Sequence, residues 1–294
     1  MDAFSEALLY KNRTLSDDEL VDLMERDLKV AAQLGCYVIR TLCTTPMRII
    51  ERSLPLAEKH GVKIGIEIHA PLDLDSAWFN PYQDLIDRRG SQWFGIIPDM
   101  GVFQSRPCTI HWERAIRDGA NPKIVAYVNE AYMAGQSREQ VMKDIQKMGA
   151  NAGDIGWLNS AYRILHTNPE VLRKHRDYIF HVHAKFYHMR PDDTDDCLDY
   201  ENVVRVLQDI GYDGYLSSEY EGNRTIEDAQ TVDSVAQVAS QHRMFQRLLA
   251  QGNTAGAKGS TKTGARGVAK AGAKESAKAG AKDGAKASVK ASPK

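Results

Sequence analysis

Residues 179–189 read IFHVHAKFYHM, a β-strand pattern in which His181, His183 and Lys185 take alternate positions and so share one face. A strand face is normally given to Val, Ile or Leu, so imidazole and ammonium groups there indicate a polar cavity in place of a core. The same kind of residue recurs where neighbouring β-rich runs end: IGIEIHAP supplies Glu67 and His69, GIIPDMG supplies Asp99, and GYDGYLSSEYEG supplies Glu219 and then Glu221. Taken singly, a Glu at a strand end is an ordinary solvated terminus and a strand His an ordinary hydrogen-bonded one. Taken together, successive strands each deliver a ligand-type residue at the same end. Two Glu, one Asp and one His form a mixed oxygen and nitrogen shell that suits Mn²⁺, Mg²⁺ or Co²⁺, with Zn²⁺ also compatible. Without an ion, so many carboxylates in one cleft would repel each other and lose their hydration.

Alternating strands and helices must position these groups. SDDELVDLMERDLKVAAQLG opens with a capping box, Ser16 to Glu19, repeats apolar residues at helical spacing and stops at Gly35. CYVIRTL predicts the next strand, and PMRIIERSLPLAEKHG a helix broken or bent near Pro55. VKIGIEIHAP, WFGIIPDMGVF, RDYIFHVHAKFY and GYDGYLSSEYEG predict four further strands, with helices through PYQDLIDRRG and YENVVRVLQDIG. That alternation predicts βα units and a parallel sheet, in which ligands bind outside the carboxyl ends of the strands. Residues 104–177 show helical patterns, clearest in SREQVMKDIQKMGA, and are expected as an inserted excursion over the sheet, a lid or a partner surface. Trp112, Trp157, Asn159 and Tyr162 within it are read as ordinary packing.

With 294 residues, 43% of them hydrophobic, the chain can build a substantial core. No apolar run approaches the roughly 20 residues of a membrane span, and the N-terminus lacks the order of a signal peptide, so a cytoplasmic location is expected. Cys36, Cys43, Cys108 and Cys197 are scattered, which predicts free thiols in a reducing compartment. The net charge of −1 hides an asymmetry: from Gly252 onward, nine Lys and one Arg stand against Glu275 and Asp283, giving +8 and leaving −9 for residues 1–251. The expected division is therefore a folded domain, 1–251, and a disordered Lys/Ala/Gly-rich tail, 252–294. The tail is either a weak polyanion tether or a solubilising appendage, and without aromatic residues it offers no base stacking.

IGIEIHAP, GIIPDMG, HVHAKF and GYDGYLSSEYEG resemble the last four strands of the xylose isomerase-like TIM barrels, which include sugar isomerases and epimerases, inosose dehydratase and endonuclease IV. The resemblance runs from about Asp18 to Arg224. It implies metal ligands Glu67, Asp99, His183 and Glu219, with Glu67 and Glu219 exchanging a proton with the carbon next to a carbonyl. The ion would hold neighbouring oxygens of a hydroxy-ketone or hydroxy-aldehyde and stabilise the enediolate. His69, His181 and Lys185 would hydrogen-bond substrate hydroxyls or back the ligands, and Arg224 is expected to meet an anionic substrate group or a surface carboxylate. The insertion, with HAKFY and SSEYEG, also resembles the metal-binding α subunit of C-glycoside deglycosidases. The fold expected is thus an α/β chain of (β/α)8 TIM-barrel type lacking its first three βα units, since residues 1–15 are too few for one unit of about 30 residues. A homo-oligomer or a second subunit would then close the sheet. Three activities follow: a metal-dependent sugar (phosphate) isomerase or epimerase, the deglycosidase α subunit, or a non-catalytic barrel remnant with a polyanion-binding tail. A nuclease fits poorly, because residues 1–251 are acidic.

Overall fold

The structure is a computed structural model that describes residues 9–10 and 13–259, with side chains for 13–251. Ser16 caps the first helix, α1 (Asp17–Gln33), accepting from the Glu19 amide while Glu19 returns a bond to the Ser16 amide. A short antiparallel pair, β1 (Leu9–Tyr10) and β2 (Arg13–Thr14), precedes it. Thereafter strands and helices alternate: β3 (Val38–Thr41), α2 (Met47–His60), β4 (Lys63–Ile68), α3 (Asn80–Arg89) and β5 (Phe94–Pro98). Four helices follow, α4 (Thr109–Arg117), α5 (Pro122–Met133), α6 (Arg138–Lys147) and α7 (Ala152–Ala161), and then a 3-10 helix, Pro169–Tyr178. The chain returns to the sheet through β6 (Val182–Phe186), α8 (Tyr200–Asp209) and β7 (Leu216–Tyr220), and finishes with α9 (Asn223–Ile226) and α10 (Ser234–Gly259).

All pairings from β3 to β7 are parallel. β3, β4 and β5 form one sheet and β6 and β7 another, and parallel bridges Ile96 to Ile179 and Asp99 to His183 join β5 to β6. The result is one arc of five parallel strands among the described residues, whose outer face is apolar. Ile39, Ile64, Ile66, Ile68, Phe94, Ile96, Val182, Ala184 and Phe186 are essentially excluded from water and share one core with residues of α1, α2, α3, α8 and α10. Each such Ile or Phe contributes about 1.5–3 kcal/mol of burial. The paired partners Arg40–Gly65, Glu67–Ile97, His183–Ser217 and Lys185–Glu219 fix which residues share the opposite, inner face.

Several boundaries differ from those read in the sequence. α2 does not stop at Pro55 but runs through it, because Ile49, Ile50, Ser53 and Ala57 bury one continuous stripe on both sides of the proline. Asp99 is outside β5 and caps a 3-10 turn, Met100–Phe103, by accepting from the Gly101 amide at 2.7 Å. The segment Arg176–Tyr178, expected as strand, belongs to the 3-10 helix. α10 was not anticipated; Met244, Phe245 and Leu248 bury it, and Gln241 donates to the Ala184 carbonyl at 3.0 Å. It continues past the expected boundary at 251. The tail residues 260–294 lie outside the described residues. Helices α5 to α7 possess a core of their own, around Val128, Val141, Ile145 and Leu158, against which Trp112 and Ile116 of α4 rest, while Ile110 of α4 joins the main core. No described helix is long and apolar enough to cross a membrane.

Candidate metal centre

At the carboxyl end of the arc, strand alternation turns Glu67, His183 and Glu219 to the same side. Their ligand atoms all lie within 4.8 Å of one another. Glu67 is 2% exposed, and its Oε1 accepts from Arg40 Nη1 at 2.9 Å and meets His183 Nδ1 at 2.7 Å. Burial raises the Glu67 carboxyl, but the His183 bond and the Arg40 charge outweigh it and hold the group at about 2. Glu219 faces the opposite balance. Burial dominates and raises it, Lys185 and His183 pull it down, and Asp99 and Glu67 add repulsion. Two carboxylates within one site are thereby pushed apart, one fixed as an anion and the other nearer to taking a proton.

Asp99, expected as a fourth ligand, stands beside this group and is fully buried. Its Oδ2 pairs with Lys185 Nζ at 2.7 Å while Oδ1 is held by Gly101. Lys185 lies two positions beyond His183 on the inner face, reaches Asp99 first, and stands 3.5 Å from Glu221 and 3.9 Å from Glu219. Burial lowers the Lys185 ammonium, yet these three carboxylates more than reverse that. Asp99 remains raised, because burial outweighs Lys185.

The remaining expected residues divide. His69 and Arg224 line the same cavity of about 510 Å³ as Glu67, Lys185 and Glu219, and His69 Nδ1 bonds the Ala70 carbonyl at 2.7 Å. His181 does not join them. It sits one layer lower, in an adjoining cavity of about 370 Å³ that Arg40, His183, Tyr37 and Tyr215 also line, and shares a 2.8 Å bond with Ser217 Oγ. Burial, with His183 beside it, lowers the His181 imidazole to about 4. Two residues of the site escaped the sequence reading. Arg40 is the inward cation of CYVIRTL, visible as an Arg inside an apolar run. Tyr187 continues the inner face beyond Lys185; it stacks edge-on to His111 with ring centroids 4.7 Å apart. Gly222 lets the turn after β7 pass against the Tyr187 carbonyl, which a Cβ there would overlap.

The donor set fits a divalent cation. Glu67 and Glu219 offer oxygen, His183 offers nitrogen, and Glu219 Oε2 is buried without a hydrogen-bond partner. A parallel arc carrying acidic and imidazole ligands at the carboxyl ends of its strands is the arrangement of barrel enzymes that bind small molecules at the strand ends. The xylose isomerase-like TIM barrel model matches residues 9–245, and the chain belongs to that family. Among curated relatives it is similar to the 3'-dehydrocarminate deglycosidase alpha subunit of Microbacterium sp., 28% identical over 267 residues, covering 85% of this chain and 75% of the relative. It is also similar to a C-glycoside deglycosidase alpha subunit of Arthrobacter globiformis, 28% identical over 249 residues, covering 82% and 70%. Among solved structures, L-ribulose 3-epimerase superposes with a TM-score of 0.49 at 12% identity, covering 84% of this chain and 74% of that one.

Proposed function

We propose that this protein is a divalent-metal-dependent enzyme that removes the proton next to a ketone on a sugar, and that its net reaction is cleavage of a C-glycosidic bond as a deglycosidase α subunit. The observation that carries the reading is the grouping of Glu67, His183 and Glu219 around one point, with Glu219 Oε2 buried and without a hydrogen-bond partner. The names of the curated relatives favour the lyase over the isomerase or epimerase expected first from the sequence; both begin with the same proton removal.

Glu67, His183 and Glu219 would hold the cation, with Asp99 close beside them, and Mn²⁺ suits this shell best. The bound ion supplies Lewis-acid polarisation of the ketone. Glu219, raised by burial, takes the proton from the adjacent carbon; the C–H electron pair passes into the enolate. Collapse of the enolate breaks the bond from the next carbon to the aglycone, whose carbon keeps that pair and is protonated. Returning the proton to the opposite face would instead give the epimer. Glu67 stays anionic beside Arg40 throughout, and His69 and Lys185 bind sugar hydroxyls.

Replacement of Glu219 by Gln tests this. Elemental analysis is expected to show loss of stoichiometric Mn, and deuterium uptake from solvent into a keto-glycoside should fall by about a hundredfold or more. Retention of both metal and exchange in E219Q would overturn the assignment. We further propose that a second subunit or second copy associates with this chain, as the names of the curated relatives suggest. Tyr37 before β3 and Tyr215 before β7, whose rings meet at 6.5 Å and which are 50% and 66% exposed, offer it an aromatic patch, and the mass in solution tests it.

A further inference from the structure

We infer that Arg40 is a counter-charge built into the cation site: by sharing Glu67 it lowers the affinity for a divalent ion and keeps that ion exchangeable. The inference deepens the reading of the site given above and rests on it. Arg40 comes from β3, where Ile39 and Thr41 turn outward and are fully buried while Arg40 turns to the inner face. Its Nη1 donates to Glu67 Oε1 at 2.9 Å, the same oxygen that meets His183 Nδ1 at 2.7 Å. The pair is sheltered, with 19% of the Arg40 side chain and 3% of the Glu67 side chain exposed. Water therefore screens it weakly, and a guanidinium keeps its charge at every pH a folded protein meets.

The other inner-face cation serves different carboxylates. Lys185 stands 2.7 Å from Asp99, 3.5 Å from Glu221 and 3.9 Å from Glu219, whereas Arg40 pairs with Glu67. The cavity is thus lined by four carboxylates, Glu67, Asp99, Glu219 and Glu221, and by two sheltered cations, with Arg224 exposed to solvent. When all are ionised, four carboxylates against two sheltered cations leave a charge of −2, which one divalent ion cancels. Without Arg40 the charge is −3, and Glu67 becomes a buried carboxylate that has lost a counter-charge and draws another cation more strongly. A purely orienting role predicts the opposite sign. If Arg40 only steadied Glu67, its removal would loosen the carboxylate and weaken the site.

Three variants of the full-length chain separate charge from orientation. Arg40→Met removes both, Arg40→Gln keeps an amide that can donate to Glu67 but carries no charge, and Arg40→Lys keeps the charge. Each is stripped with a chelator and titrated with Mn²⁺ alone, the free ion being read by electron paramagnetic resonance and folding by thermal melting. R40M and R40Q are expected to bind Mn²⁺ at least about tenfold more tightly than the wild-type chain, and R40K within about threefold of it. Added Mn²⁺ should also raise the melting temperature of R40Q by more than that of the wild-type chain. Equal or weaker binding by R40Q, whether or not R40M folds without metal, overturns the inference and leaves the cation site standing. No Mn²⁺ bound by the wild-type chain overturns the site and the inference together. Deuterium uptake into a keto-glycoside is measured alongside: tighter binding by R40Q, with no uptake by the Mn²⁺-loaded wild-type chain, supports the role of Arg40 and counts against the proton-transfer reading alone.

Discussion

Lys185 and Asp99 are the pair on which the inner face depends. Their separation is 2.7 Å, and Asp99 has no access to solvent. Removing the ammonium leaves a carboxylate buried without its counter-charge, so Lys185→Met should destabilise the protein by about 3 kcal/mol in urea unfolding. Asp99→Asn placed on top of it should recover at least about half of that loss, since it removes the stranded charge. Equal stability of the single and double variants would show that the pair is not coupled as described. The residue types at this site were legible in the sequence because ligand-type side chains rarely occupy strand faces without cause. Their mutual arrangement was not legible. Alternation alone puts His181, His183 and Lys185 on one face, but only the register separates His181 into the lower cavity and brings Lys185 to Asp99.

Elements bounded by strong local signals were the readable ones. The Ser16–Glu19 capping box and the apolar spacing of α8 mark helices that the structure contains. Pro55 misled because its local effect is opposed by packing: the residues around it bury one stripe of α2 against the core. A proline inside a helix lacks the amide donor and crowds the preceding turn. Pro55→Ala should therefore raise stability by on the order of 1 kcal/mol, seen as a higher melting temperature. A lower melting temperature would mean that Pro55 holds a bend the core requires. In α10, Gln241, Met244, Phe245 and Leu248 repeat at helical spacing, yet the segment runs directly into the Lys-rich tail, and the change in composition masked its amphipathic face.

At the scale of the whole molecule, stability should depend on pH through Asp195. Its Oδ1 accepts from the Cys197 and Leu198 amides at 2.8 and 2.6 Å, while Oδ2 is buried without a partner. Burial raises this carboxyl from 3.8 to about 7, against the pull of those two amides. The folded chain thus binds a proton more tightly than the unfolded one. The contribution is fully present below pH 3.8 and is lost as pH rises through about 7. Its size is on the order of 4 kcal/mol. Asp195→Asn should flatten the fall in melting temperature between mildly acidic and mildly alkaline buffer; an unchanged slope would assign that fall to other groups.

Helices α5 to α7 pack around a nucleus separate from the one beneath the parallel arc, and α4 bridges the two, burying Ile110 in the latter and resting Trp112 and Ile116 on the former. Mutations that loosen or reshape α5 to α7 are thereby one nucleus removed from the strands that present the acidic and imidazole groups, whereas α4 touches the site directly through His111 against Tyr187. An engineer can therefore vary α5 to α7 as one packing unit and the ligand-bearing strands as another, with α4 the seam where the two sets of changes would meet.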